Sequence, residues 1–299
     1  MCMWGSRPDR PTAWAGTPSG YARRTLPAHG TVRGRTDLES ALTTELLPIT
    51  RVPRTGLPSH AVVVGDPARA AEVAGLLDDP KEVSHHREYR TFTGMWKGTP
   101  LVVSSHGVGG PGAILLFQEL ADAGVRTILR LGTAGAIRTG ILDGDLVIAD
   151  AAVRDDGVTQ QLLPPEYPAF CAPEAVLALQ RAAVEAGAPY HRGVVWTRAA
   201  FQPGYVTLPA AAYTRAGVAA IEMELSALLV LASTRGLVAG GVLVIDGANA
   251  DELVDEEATG GYNPHREVVA DGVALGSRVA LDAVHLLANE STESPETIK

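Results

Sequence analysis

The chain has 299 residues, 46% of them hydrophobic and only 5% aromatic, which is enough for one large α/β domain or two small ones around a substantial core. A formal net charge of −9 excludes a general nucleic-acid binder, which needs a basic face, although a few converging arginines can still hold a small anion. Two cysteines, Cys2 and Cys171, allow neither a disulfide framework nor a zinc spacing, and no apolar run approaches a membrane span.

Residues 1–45 are dominated by Gly, Pro, Arg, Thr and Ser without periodicity, and read as a disordered N-terminal extension. Arg23-Arg24 is followed by no apolar stretch, so no secretory or twin-arginine leader is expected. A reducing, cytoplasmic location fits.

Order is expected near Leu57. Ala61–Val64 is a short apolar run, as in a parallel strand buried on both faces, and it ends in Gly65-Asp66-Pro67. Pro67 suits a helix start, and Ala68–Leu77 has helical composition. Leu101–Ser105 is a second strand, followed by the His106–Pro111 loop and a helix over Gly112–Ala123. Arg126–Leu131 is a third strand that ends in Gly132-Thr133-Ala134-Gly135, and Asp145–Ala152 is a fourth. A helix is predicted over Pro173–Glu185, a strand over Gly193–Thr197, and a helix over Leu225–Arg235 that stops at Gly236. A strand over Ala239–Asp246 and a long helix over Arg266–Leu287 follow, with a polar tail over 290–299. This order predicts one α/β domain over residues 46–289, with its site at the carboxyl ends of strands.

Three strand ends carry chemistry. Gly65 lets a backbone N–H approach an anion, and Arg69 lies one turn into the next helix, a phosphate half-site or simply a turn. Arg130 sits inside an apolar strand, where an unpaired guanidinium is costly, so it needs an anion: a protein carboxylate or a ligand. Glu222 and Glu224 flank Met223 where a strand gives way to a helix, and carboxylates there suit vicinal sugar hydroxyls or a helix dipole.

In order and spacing these stretches resemble the nucleoside phosphorylase family that contains uridine phosphorylase and the hexameric purine nucleoside phosphorylases. The similarity runs from about residue 57 to residue 288 through Gly65–Arg69, His86-Arg87-Glu88-Tyr89, Ser105–Pro111, Leu129–Ile137, Phe201-Gln202-Pro203-Gly204 and Glu222-Met223-Glu224. The resemblance implies a three-layer fold with a mixed central β-sheet flanked by helices. It implies phosphorolysis of a nucleoside to free base and (deoxy)ribose 1-phosphate. The co-substrate is inorganic phosphate, with no other cofactor and no metal. Gly65, Arg69, Arg130 and Thr133 would bind phosphate, joined by Arg87 from a neighbouring subunit. Met223 and Glu224 would hold ribose, and Phe201 and Glu222 the base. A homo-oligomer follows, a hexamer built as a trimer of dimers, with no nucleic-acid or membrane partner.

Two departures bear on the substrate. The uridine branch carries a glutamine and an arginine just after its Phe-x-Pro-Gly stretch, where this chain has Tyr205 and Thr207. Asp246 falls near the aspartate of the purine branch and is the candidate acid toward purine N7, or a turn cap before Gly247, and Arg266 is a candidate partner for it. An ungapped count from Gly65 puts Leu47 where the family offers a histidine to the ribose 5′-hydroxyl. The expectation is therefore a purine nucleoside, adenine first, 5′-deoxy or 5′-substituted, with uridine phosphorolysis, hydrolysis or non-catalytic nucleoside binding as the alternatives.

Overall fold

The computed structural model describes residues 45–202, 204–247 and 263–293, with side chains as far as 290. The expected N-terminal extension, apart from Glu45, and the tail beyond 293 lie outside these residues, and the final helix continues to Glu293 rather than ending at Leu287. The strands are β1 (His60–Val64), β2 (Asp78–His86), β3 (Tyr89–Trp96), β4 (Thr99–Ser105), β5 (Thr127–Ala136), β6 (Leu146–Asp155), β7 (Ala169–Phe170), β8 (Tyr190–Arg198), β9 (Ala220–Glu222) and β10 (Val238–Gly247). The helices are α1 (Pro67–Ala74), α2 (Gly110–Asp122), α3 (Pro173–Glu185), α4 (Ala210–Arg215), α5 (Leu225–Arg235) and α6 (Glu267–Glu293).

All ten strands join one mixed sheet in the order β10-β6-β8-β9-β5-β1-β4-β3-β2, with β7 added to β6. Because β10 also pairs with β5, the strands β5, β10, β6, β8 and β9 close into a ring, and β1, β4, β3 and β2 extend from it. The layering follows from two glycines in β10. A Cβ on Gly240 would meet Ala175 at 3.0 Å, and one on Gly241 would meet Leu225 at 2.8 Å. Successive strand residues face opposite sides, so α3 packs on one face of β10 and α5 on the other, closer than any side chain there would allow. Helix α6 joins α3, and α2 joins α5. The chain thus forms the expected mixed sheet flanked by helices.

Local chemistry sets the element ends. Asp66 caps α1 by accepting the Ala68 N–H at 2.7 Å, with Pro67 at the first helical position. Gly236, at φ 64°, supplies the left-handed residue that ends α5.

Candidate active site

A cavity of about 610 Å³ lies over strand ends and takes a wall from the β1–α1 turn and from each of β5, β8, β9 and β10. Its volume is in the range of small-molecule sites. Gly65, Asp66 and Arg69 enter it from the β1–α1 turn, and Arg130, Gly132 and Thr133 from β5. The sequence reading ended this strand at Leu131. Instead β5 continues through Gly132-Thr133-Ala134-Gly135, because β10 pairs with it along that whole stretch.

Arg130 is the centre of the site. Its side chain is 4% exposed, and Nη2 forms ion pairs with Glu224 and, at 3.4 Å, with Glu222. Of the two counter-charges left open, the structure supplies protein carboxylates at one end, while Nε and Nη1 are buried without a hydrogen-bond partner. Burial works against its charge, but the two glutamates outweigh that and keep it protonated. The guanidinium folds back over Gly132, where a Cβ would lie 2.6 Å from Cζ and 2.9 Å from Nη2. Glycine at 132 is therefore required by the arginine beside it.

Glu224 lies at the entry to α5, where its Oε1 accepts the N–H of Gly109, the residue that caps the start of α2, at 2.5 Å. Gly109 is at φ 90°, a backbone region open to glycine. Burial pushes the Glu224 carboxyl up, but Arg130 and the Gly109 N–H prevail and hold it below the usual carboxylate range. Glu222 differs. Its Oε1 accepts the Thr197 hydroxyl, its Oε2 accepts the N–H groups of Glu224 and Leu225 at 2.8 Å each, and burial holds it above that range. Glu222 lines the cavity, with Oε2 committed to the Glu222–Leu225 corner and Oε1 to Thr197. His106 is fully buried, and burial and the nearby Arg130 push its pKa down to about 4, so it is neutral.

The β10 wall is set by a bulge. Ile245 pairs with Ala134 and Gly247 with Gly135, so Asp246 is the extra residue, 3% exposed and lining the cavity. Arg266 ion-pairs with Asp143 and donates to the Asp246 backbone carbonyl at 2.8 Å, anchoring the bulge through the main chain.

Gly65, Arg69, Arg130, Thr133, Phe201, Glu222, Met223, Glu224 and Asp246 thus share one cavity. Arg87 does not line it. It is exposed at the tip of the β2–β3 hairpin, at φ 57°. Tyr205 and Thr207 are exposed and also lie off the cavity wall, so they do not replace the uracil-reading pair in space. Leu47 is 2% exposed and packs with Val52, Leu57 and Ala123 of its own chain. It is a core residue, and the 5′ argument built on it loses its basis. The cavity also holds two residues that sequence reasoning missed, Glu88 and Arg198. Arg198 carried a readable signal: an arginine closing the apolar run Val194-Val195-Trp196, the same kind of signal that singled out Arg130. Among the described residues, no three His, Cys, Asp or Glu side chains are arranged to hold a metal ion, and no helix is long and apolar enough to cross a membrane.

Residues 59–284 match the family described as the phosphorylase superfamily. The chain is 38% identical over 228 residues to a uridine phosphorylase of Thermococcus kodakarensis, covering 72% of this chain and 81% of that protein. It is 32% identical over 239 residues to a guanosine phosphorylase of Halorubrum lacusprofundi, covering 76% and 93%. The solved purine nucleoside phosphorylase of Toxoplasma gondii, in complex with immucillin-H, superposes with a TM-score of 0.77 at 30% identity, over 82% of this chain and 98% of that one.

Proposed function

The chain belongs to the phosphorylase superfamily, and from that premise we propose that it is a nucleoside phosphorylase acting on a purine nucleoside, with inorganic phosphate as co-substrate and no other cofactor. One observation carries the reading. A single buried guanidinium, Arg130, is pinned at one end by Glu224 and offers unpartnered Nε and Nη1 at the other. An anion that accepts from those donors lies beside the carboxylate that would hold a sugar.

Phosphate sits against Gly65, Arg69, Arg130 and Thr133. Each Glu224 oxygen keeps a second lone pair for the ribose 2′- and 3′-hydroxyls, with Met223 beside the sugar and Phe201 against the base. A phosphate oxygen bonds to C1′ as the C1′–N9 bond breaks, the electron pair leaves with the base, and Asp246 delivers a proton toward N7. Arg87 reaches the phosphate of a neighbouring copy, so the smallest active unit is a dimer, and three dimers make the hexamer. The adenine preference rests on Asp246 alone and is not retained. A 5′-deoxy preference is not retained, because Leu47 is committed to its own core.

Uridine is the second reading, favoured by the 38% identity to a uridine phosphorylase. The test is turnover of inosine, guanosine, adenosine and uridine with and without phosphate, following free base and sugar 1-phosphate. Phosphate-dependent release of a purine supports the proposal. Preferential cleavage of uridine moves it to the second reading, and release without phosphate moves it to hydrolysis.

A further inference from the structure

Arg198 ends β8 and stands in the cavity wall, 7% exposed. Among the described residues no carboxylate pairs with it. Its hydrogen bonds run to neutral backbone carbonyls, Nη1 to Phe201 at 3.4 Å and Nη2 to Gln202 at 3.1 Å. A guanidinium carries five N–H donors, so most of its donating capacity is uncommitted. A buried cation without a counter-charge is costly, and a ligand with acceptors relieves that cost.

The sheet order says which part of the ligand arrives there. The strands run β8-β9-β5-β1. Strand β5 carries Arg130 and Thr133, the turn after β1 carries Gly65, and the turn after β9 carries Met223 and Glu224. Arg198 lies on the far side of β9 from the phosphate side, next to the loop that bears Phe201. Phosphate, sugar and base laid in that order put the base against Arg198.

We propose that Arg198 reads the base and selects a 6-oxopurine over adenine. The inference rests on the nucleoside phosphorylase reading above and narrows it. A guanidinium only donates. A 6-oxopurine presents the O6 carbonyl, an acceptor that arginine reads in the major groove of DNA, beside the N7 that Asp246 serves, whereas adenine presents an amino donor at position 6. Donor would face donor, and one of them would be buried unpaired. Negative charge also builds on O6 as the C1′–N9 bond breaks, so a cation held there stabilises the transition state more than the ground state.

The experiment measures kcat/KM for inosine, adenosine and uridine in the wild type, Arg198→Met and Arg198→Lys, together with equilibrium binding of free hypoxanthine, adenine and uracil. The expected wild type prefers inosine to adenosine by ~100-fold or more. Arg198→Met should lose ~100-fold on inosine and change less than about fivefold on adenosine, with Arg198→Lys between. Equal losses on both substrates would overturn the proposal and leave Arg198 as an anchor of the Phe201 loop. So would a wild type that prefers adenosine or uridine, a measurement that needs no variant to fold. If no nucleoside is cleaved but hypoxanthine still binds in an Arg198-dependent way, the activity reading falls and the base reading stands.

Discussion

Gly132→Ala tests the centre of the site without touching a charged group. Gly132 is not among the residues with positive φ, so alanine fits the extended backbone of β5. The new methyl is the whole perturbation. It would lie 2.6 Å from Cζ of Arg130 and 2.9 Å from Nη2, where ordinary contact needs about 3.5 Å. Nη1 lies closer still, so the guanidinium must retreat by more than ~1 Å. That retreat stretches its pair with Glu224 and moves Nε and Nη1 away from the anion they are proposed to hold. A misplacement of about 1 Å costs ~100-fold in rate, so kcat/KM for phosphate should fall by about that factor. The ion pair is stretched rather than deleted, so the stability loss stays near ~2 kcal/mol, below the cost of removing a buried partner. The assay is steady-state phosphorolysis with phosphate varied at saturating nucleoside, with urea unfolding as the check on folding. Gly65→Ala is the control for stability. A Cβ there meets only Gly107 O at 3.5 Å and His106 Cε1 at 3.9 Å, so unfolding should shift by less than ~1 kcal/mol. A folded Gly132→Ala chain with wild-type kcat/KM for phosphate would refute the placement of phosphate on Arg130.

Glu224→Gln leaves one acceptor oxygen where Gly109 N–H and Arg130 each use one. It should lower kcat/KM for nucleoside by ~100-fold or more and stability by ~3 kcal/mol, read by kinetics and urea midpoints. Arg87→Ala and Glu224→Gln chains, inactive alone, should recover about one quarter of wild-type activity when refolded together, because a mixed dimer builds one intact site. An active Arg87→Ala chain, or no recovery, would defeat the trans assignment. The His106 pKa is about 4 when folded and near 6.5 when unfolded. The unfolded chain therefore binds more protons between these values, and stability falls as pH drops through that window. The loss attributable to His106 is about 3 kcal/mol by pH 4. His106→Asn should flatten the slope of the urea midpoint between pH 6.5 and 5, and an unchanged slope would show that His106 is not its source.

What could be read from the sequence depended on how local the cause was. The bounds of Pro173–Glu185 and Leu225–Arg235 match α3 and α5, because proline at one start and glycine after the other end are local signals. The end of β5 was missed for the opposite reason. Gly132-Thr133-Ala134-Gly135 has the composition of a loop, and only pairing with β10 and, at Gly135, with β9, both far along the chain, makes it strand. The β2–β3 hairpin was missed because β2 is almost wholly exposed and carries no apolar alternation, and because its turn uses Arg87 at positive φ in place of an Asn-Gly pair. Leu47 shows the limit of counting. The ungapped count gives a position in the chain, but burial against Val52 and Ala123 decides where the side chain goes.

The acidity of the chain proves a poor guide to this cavity. Three arginines and five carboxylate residues line it, so by charge alone it should repel phosphate. Hydrogen-bond capacity argues the other way. Asp66 is taken up in capping α1, Glu222 by Thr197 and two backbone N–H groups, and Glu224 by Gly109 and Arg130. Meanwhile Arg130 keeps two buried donors unpartnered, and Arg198 is met only by neutral carbonyls. An incoming molecule therefore meets three carboxylates that already hold donors, with Glu224 keeping a second lone pair on each oxygen, and two guanidinium groups that still have donors to offer. Such a surface favours acceptors at both ends of the ligand, a phosphate at one and a carbonyl-bearing base at the other. A net charge counts ionised groups, whereas recognition at this range depends on which of them still have a bond to make.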